Sequence, residues 1–387
     1  MRQWGERVKF AILTSEYPPF RGGVGTYAYE LAAAAVSEGH DVTVLAPDYG
    51  VDQSVHDTAM PGRTLRYPDG VSNFKGLSKR IRAAWLLFRD NQFDVIHAAD
   101  WPFFIPVKVT HRWQCRARVL LTVHGSEILF MNKLKRRLIL KGLKMLRPGW
   151  ATWISNSRYT RSLLLETFPE ISADQVRCVP LGVSGTWIAG RIDRAAARAR
   201  FCVAEDVKVI VTLGRIAARK GHAFLADALG SLPADTTRGW QWWVIGPTID
   251  ADYVALVKEK ATRLAIPSIF FGSLPSAEVQ ARICAADVFC LPSWTHPTLG
   301  MEGFGLAFLE AAAFGVPALG SNAGGIPDAV EDGVSGLLVP ERDVPAIADA
   351  LARMLTDDAL RARLGAGAEA KATNATWVSV MRQTYTA

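Results

Sequence analysis

The sequence predicts an α/β protein built of two doubly wound domains in tandem. Short apolar runs alternate with helix-period segments over most of the chain, which is the pattern of βαβ units around a parallel sheet. The alternation breaks once, past residue 184, and then resumes. The chain has 387 residues, which at ~150 residues per domain allows two to three domains.

The first unit reads as a strand at Val8–Thr14, a Pro/Gly loop from Tyr17 to Gly25, a helix over about Tyr27–Ser37 and a strand at Asp41–Ala46. Further strands are expected at Asp94–Ala98, Val119–His124 and Thr152–Asn156. Cys178–Val183 then leads into Arg191–Arg200, an Ala/Arg-rich stretch with little apolar periodicity that reads as a linker. The second set of strands is expected at Lys208–Gly214, Trp242–Gly246, Ile269–Phe271, Val288–Pro292 and Pro317–Gly320, and the Ala-rich tail from Val344 reads as helical. The expected domains are residues 1–184 and 185–370, each large enough for its own core.

Composition excludes several classes. Hydrophobic residues make up 49% and charged residues 21% of the chain, so it is not disordered or low-complexity. No apolar run approaches the ~18 residues of a membrane span. Met1 to Arg7 is polar and runs straight into a strand, so no secretory signal is expected there. The five cysteines (Cys115, Cys178, Cys202, Cys284, Cys290) contain no C-x-x-C pair, which points to reduced thiols in a cytoplasmic protein rather than to disulfides or zinc.

The net charge of +7 is uneven. Residues 1–184 hold 25 Lys+Arg against 16 Asp+Glu, and residues 185–387 hold 19 against 21. A basic first half suits an anionic partner. Seven basic residues and no acid fall between Lys133 and Arg147, interspersed with Leu134, Leu138, Ile139, Leu140, Leu143, Met145 and Leu146. That basic amphipathic segment fits an anionic membrane surface, and an ordinary solvated helix is the alternative.

Three motifs carry chemistry. Gly22, Gly23 and Gly25 precede the first helix, and their amides suit a phosphate or sugar, a structural turn or, less well, a dinucleotide. A dinucleotide fingerprint follows its strand immediately, whereas eight residues intervene here. Arg215 and Lys220 follow the first strand of the second half, and two fixed cations there suit a diphosphate. Glu302 lies in the glycine-rich loop Gly300–Gly305 and Glu310 about one turn into the next helix, so that two carboxylates can accept from sugar hydroxyls beside a helix N-terminus. His124 ends a strand, where ligands of open parallel sheets bind. The other histidines have no metal-ligand spacing. Asp250 and Asp252 form a D-x-D at a helix start, which reads as an N-cap rather than a metal site.

Together, the E-x7-E of Glu302 and Glu310, Arg215 with Lys220, the Gly22-Gly23 loop and His124-Gly125 resemble family 4 of the retaining glycosyltransferases. Val179–Val183 and Gly324-Gly325-Ile326-Pro327-Asp328 support the resemblance, which spans nearly the whole chain. It implies a GT-B fold, two Rossmann-like domains facing a central cleft, with residues 371–387 as a helix crossing back to the first domain. It also implies that Arg215 and Lys220 hold a donor diphosphate, Glu302 the transferred sugar and Glu310 the ribose. The amides of Gly303, Phe304, Gly305 and Leu306 would line sugar and phosphate. His124 would meet the donor sugar, and the Gly22-Gly23 loop would cover the phosphate and meet the acceptor. The implied donor is a GDP- or UDP-sugar, with no cofactor and no metal required, because Arg215 and Lys220 replace a metal. The Gly300–Ala312 neighbourhood is similar to mannosyltransferases of the phosphatidylinositol-mannoside and exopolysaccharide type. The implied acceptor is a glycan or a lipid-linked sugar, met at the inner face of the plasma membrane by a cytoplasmic or peripheral protein.

Three rival readings compete with this one. Against a nucleotide-sugar epimerase on the same fold, E-x7-E with the intact Arg/Lys pair favours the transferase. A non-catalytic basic module for membrane or nucleic acid would not need the donor-site residues, and no nucleic-acid partner is expected. A dehydrogenase rests only on Gly23–Ala28.

Overall fold

The computed structural model describes residues 6–20, 22–68, 76–114 and 116–386; Arg21, Cys115 and the first five residues, all part of the expectations above, lie outside them. The chain divides into two units: residues up to Leu181 together with Trp377 onward, and Gly182–Thr376.

The first unit is built on seven strands: β1 Lys9–Leu13, β2 Asp41–Asp48, β3 Arg63–Pro68, β4 Val95–Ala98, β5 Arg118–Val123, β6 Thr152–Ser155 and β7 Val176–Cys178. All pair in parallel, in the order β3-β2-β1-β4-β5-β6-β7. Helices cover both faces of such a sheet, so its central strands are continuously apolar. In β1, Phe10, Ala11, Ile12 and Leu13 are all buried. Phe88, Phe103, Phe104, Trp153 and Phe168 fill the core on one face. The helix Trp377–Tyr385 also belongs to this unit, and buries Trp377, Val380, Met381 and Tyr385.

The second unit has six parallel strands: β8 Lys208–Leu213, β9 Trp240–Ile245, β10 Ser268–Gly272, β11 Val288–Leu291, β12 Ala318–Ser321 and β13 Gly336–Val339. Their order is β10-β9-β8-β11-β12-β13. Trp242, Leu225, Ile347, Leu351 and Met354 lie in its core.

The order reverses between β1 and β4 in one sheet and between β8 and β11 in the other, which makes these the switch points where ligands of doubly wound sheets bind. Among the described residues no helix is long and apolar enough to cross a membrane.

Two expectations need correction. Arg191–Arg200 is no linker, because Arg194–Arg200 is a helix of the second unit. Arg194 and Arg198 both reach the buried Asp287, and Arg198 also donates to the carbonyls of Ala204 and Val207. The segment is held by charge-assisted bonds rather than by an apolar stripe, so it lacks periodicity. The first helix spans Gly23–Ser37 and therefore starts four residues before Tyr27. Gly22 is its N-cap, so the glycine amides belong to the helix end itself.

Candidate active site

In the second unit the chain leaves β8 at Leu213 and turns through a short 3-10 segment, Ala218–Lys220, before the helix His222–Ser231. It leaves β11 at Leu291 and enters the loop that carries Glu302. The two loops flank the switch point and are tied together. The Trp294 amide donates to the Arg219 carbonyl at 2.9 Å and its indole to the Ala218 carbonyl at 2.8 Å. Lys220 donates to Glu302 Oε2, and Arg219 Nη1 reaches the same oxygen at 3.3 Å.

The glycines of the second loop have local reasons. Gly305, at φ +96°, starts the helix Leu306–Ala312, and a Cβ there would sit 2.7 Å from the Phe308 ring. Gly325 donates to the Glu302 carbonyl at 2.9 Å, and a side chain on it would strike the Gly303 carbonyl. The Gly324–Asp328 motif thus holds the backbone that presents Glu302. Phe304 is buried, while Leu306 and Glu310, four residues apart on one helix face, are half-buried. The amides of Leu306 and Ala307 open that helix without a partner inside it, and the Phe308 amide donates to the Gly305 carbonyl at 3.0 Å.

Burial pushes the Glu302 carboxyl up, but Lys220 and Arg219 outweigh burial and hold it below the usual carboxylate range. Burial pulls the Lys220 ammonium down, opposed by Glu302 and reinforced by Arg219 and Arg215. Arg215 is exposed. Two cations therefore hold one carboxylate, with Arg215 acting on Lys220 from beside them, and the surplus positive charge suits a dianion.

The first unit presents the other expected residues. His124 follows β5, and Gly125, at φ +130°, caps the helix Ser126–Met131. His124 Nε2 lies 2.8 Å from the Ala99 carbonyl, so that nitrogen donates, and in the neutral imidazole Nδ1 is then the acceptor. The edge of the Tyr27 ring packs on the imidazole, with centroids 5.0 Å apart. Behind it, buried His97 bonds Thr122 Oγ1 at 2.7 Å and the Tyr385 hydroxyl at 2.8 Å, and Thr122 meets the Tyr27 hydroxyl at 2.9 Å. A side chain at Gly22 would run into the Glu16 carboxylate.

The structure thus joins Lys220, Glu302 and the Gly303–Leu306 loop, with Glu310 on the following helix, in the second unit; Gly22, Gly23 and His124 lie in the first. Sequence reasoning missed Arg219, whose only signal is adjacency to Lys220, and Tyr27, which reads as a core aromatic. Asp250 is an N-cap, accepting from the Tyr253 amide at 3.0 Å. Among the described residues no group of three His, Cys, Asp or Glu is placed to hold a metal ion.

Residues 193–371 match the family described as glycosyl transferases group 1, and residues 21–185 match Glycosyltransferase Family 4. The chain is 29% identical over 364 residues to the GDP-mannose-dependent alpha-(1-6)-phosphatidylinositol monomannoside mannosyltransferase of Mycobacterium tuberculosis, covering 92% of this chain and 91% of that protein. It is also 29% identical over 387 residues to the D-inositol 3-phosphate glycosyltransferase of Frankia alni, covering 93% and 92%. Among solved structures it resembles Anabaena HepE in complex with UDP and glucose, with TM-score 0.75, 19% identity and coverage of 97% and 98%. It resembles the sucrose-phosphate synthase of Thermosynechococcus elongatus with TM-score 0.79, 22% identity and 97% coverage of each chain. These structural likenesses establish the two-domain GT-B fold.

Proposed function

The chain belongs to the family 4 glycosyltransferases, and we propose that it moves a hexosyl group, with retention of anomeric configuration, from a nucleotide-diphosphate sugar to a lipid-linked or glycan acceptor in cell-envelope glycan synthesis. The observation that carries this reading is the Arg219–Lys220–Glu302 cluster at the second switch point, beside Arg215 and a glycine-rich helix start.

In this reading Arg215 and Lys220 hold the diphosphate, Glu302 a hydroxyl of the transferred sugar and Glu310 the ribose. The amides of Gly303 to Leu306 line the sugar and phosphate. As the glycosidic bond breaks, charge grows on the leaving diphosphate, and cations fixed beside it stabilise that charge more than they stabilise the ground state. The leaving phosphate takes the acceptor proton on the same face, so no side chain acts as nucleophile. His124 offers Nδ1 to a sugar hydroxyl, and the Gly22-Gly23 helix start meets phosphate or acceptor. The protein works in the cytoplasm, peripheral to the membrane.

The names of the relatives favour GDP-mannose as donor and an inositol-containing acceptor. Thermal denaturation with GDP-, UDP-, ADP- and dTDP-sugars identifies the donor, since a ligand of the native state raises Tm. Transfer to phosphatidylinositol monomannoside should then give an α-linked product from GDP-mannose. A β-linked product would exclude retention. A nucleotide sugar converted to its epimer with no acceptor present would favour an epimerase.

A further inference from the structure

The switch point of the first sheet holds a buried acid that the reading above does not use. Ser15 lies just past β1 and Asp100 just past β4, the two strands between which the order reverses. Asp100 is 4% exposed and Ser15 7%. The Ser15 amide lies 3.1 Å from each Asp100 carboxylate oxygen, and the Ser15 hydroxyl donates to Oδ2. An ionised carboxylate offers about four acceptor sites. Among the described residues Asp100 forms no ion pair, and its hydrogen bonds come from Ser15 alone. The charged and titratable groups around it do not compensate it: Glu16 follows β1, Glu127 opens the helix after His124, and Tyr49 follows β2. The neighbouring Ala99 carbonyl is the one that fixes the His124 ring.

A buried carboxyl without a cation costs stability, and such groups persist where function needs them. We propose that Asp100, seated by Ser15, is the residue of the first unit that binds a hydroxyl of a sugar or cyclitol acceptor. This rests on the reading that the first unit takes the acceptor. Burial first, then Glu16 and Glu127, push the carboxyl up to about 7, against the opposing Ser15 bonds. Near neutral pH the group therefore exists in both forms, and it can accept from one hydroxyl or donate to another.

The test uses Asp100→Asn, which keeps shape and an acceptor for Ser15 while removing the charge, with Ser15→Ala as the second variant. Four quantities are measured: mannosyl transfer from GDP-mannose to phosphatidylinositol monomannoside in mixed micelles, GDP-mannose hydrolysis without acceptor, GDP-mannose affinity, and Tm at pH 8. Asp100→Asn should cut kcat/KM for the acceptor by about 10- to 100-fold, the loss of one charged hydrogen bond. Hydrolysis and GDP-mannose affinity should stay at the wild-type level, and Tm at pH 8 should be equal or higher. Ser15→Ala should reduce acceptor kcat/KM in the same sense by a smaller factor. The wild-type acceptor kcat/KM should show a step near pH 7 that the Asn variant lacks. A variant whose transfer, hydrolysis and Tm fall together makes Asp100 a structural residue and overturns the proposal. A variant that transfers as well as the wild type overturns it alone. A wild type that binds no nucleotide sugar overturns it together with the reading it rests on.

Discussion

Lys220 Nζ donates to Glu302 Oε2 across 82 residues of chain, and neither side chain is more than 14% exposed. The cation and the carboxylate that would bind diphosphate and sugar in the proposed site are thus partners within the second unit. Arg219 shares the same oxygen, so Glu302 remains paired when Lys220 turns to a phosphate.

This pairing predicts how variants at the two positions behave. Lys220→Ala and Arg215→Ala should each cut turnover by ~10²-fold or more, because each removes a cation that meets the developing charge. Their stabilities should differ. Arg215 is exposed, so its loss should leave Tm nearly unchanged. Lys220→Ala strips a buried carboxylate of one partner, and breaking a buried pair costs on the order of 3–5 kcal/mol, less here because Arg219 remains. The double variant Lys220→Met, Glu302→Leu should recover much of that stability and none of the activity. Equal Tm losses for the Arg215 and Lys220 variants, read by calorimetry, would contradict the pairing.

A second prediction concerns metal. With Arg219 and Lys220 on Glu302 and Arg215 beside Lys220, a diphosphate bound at the proposed site would meet fixed cations in the protein itself. Turnover should therefore persist in EDTA. Activity abolished by EDTA and restored by magnesium or manganese would assign the charge stabilisation to an ion.

Acid stability of the first unit should depend on His97. Burial, and then the charge of His124, pull its pKa down to about 3. An unfolded histidine titrates near ~6.5. Between these values the unfolded chain binds a proton that the native imidazole refuses. Stability therefore falls as pH drops through that window, by about 1.4 kcal/mol per pH unit, and the penalty levels off below the native pKa. His97→Gln should unfold with a shallower pH dependence between pH 6.5 and 3. Its absolute stability should be lower, since bonds to Thr122 and Tyr385 are lost. Denaturant titrations at several pH values decide this, and parallel curves for the two proteins would sink it.

These residues also show what a sequence can reveal. Lys220 and Glu302 were legible because each sits at a fixed offset within its own motif. Their contact was not, because it is set by the packing of two loops at a switch point. Asp100 and Ser15 are 85 residues apart and carry no local pattern. The strands that went unread, β3, β7 and β13, all lie at sheet edges. β3 and β7 carry polar residues, Arg63, Arg66 and Arg177, so the apolar run that marks a central strand is missing, and β13 is apolar but only four residues long. The helix Arg194–Arg200 escaped for a related reason, being docked by its arginines on Asp287.

The last prediction concerns the basic segment of the first unit. Its helix spans Leu134–Gly142, and one side of the segment is anchored by buried Leu140, Met145 and Leu146. The opposite side is unusual: Leu134, Leu138 and Ile139 are 74%, 60% and 44% exposed, with Leu129 nearby at 45%. Not every cation of the segment is available to a partner. Lys141 pairs with Glu170 at 2.9 Å, Arg137 reaches the same carboxylate at 3.4 Å, and Arg136 stacks on the Phe130 ring. Lys133, Lys135, Lys144 and Arg147 remain exposed beside the leucines. If this face docks on an anionic membrane, each of those four contributes ~1 kcal/mol, screened over a Debye length of ~8 Å at physiological salt. Replacing all four with Gln should then weaken binding to phosphatidylserine-containing vesicles by up to ~10³-fold at low salt. Leu134→Ser with Leu138→Ser should weaken it in a way that salt does not mask, because apolar burial is not screened. Both variants should keep wild-type affinity for GDP-mannose while transferring more slowly to a membrane-borne acceptor. Vesicle co-sedimentation at low and high salt separates the two contributions. Equal sedimentation of wild type and variants would make this face an ordinary solvated helix, and the acceptor would then reach the enzyme from solution.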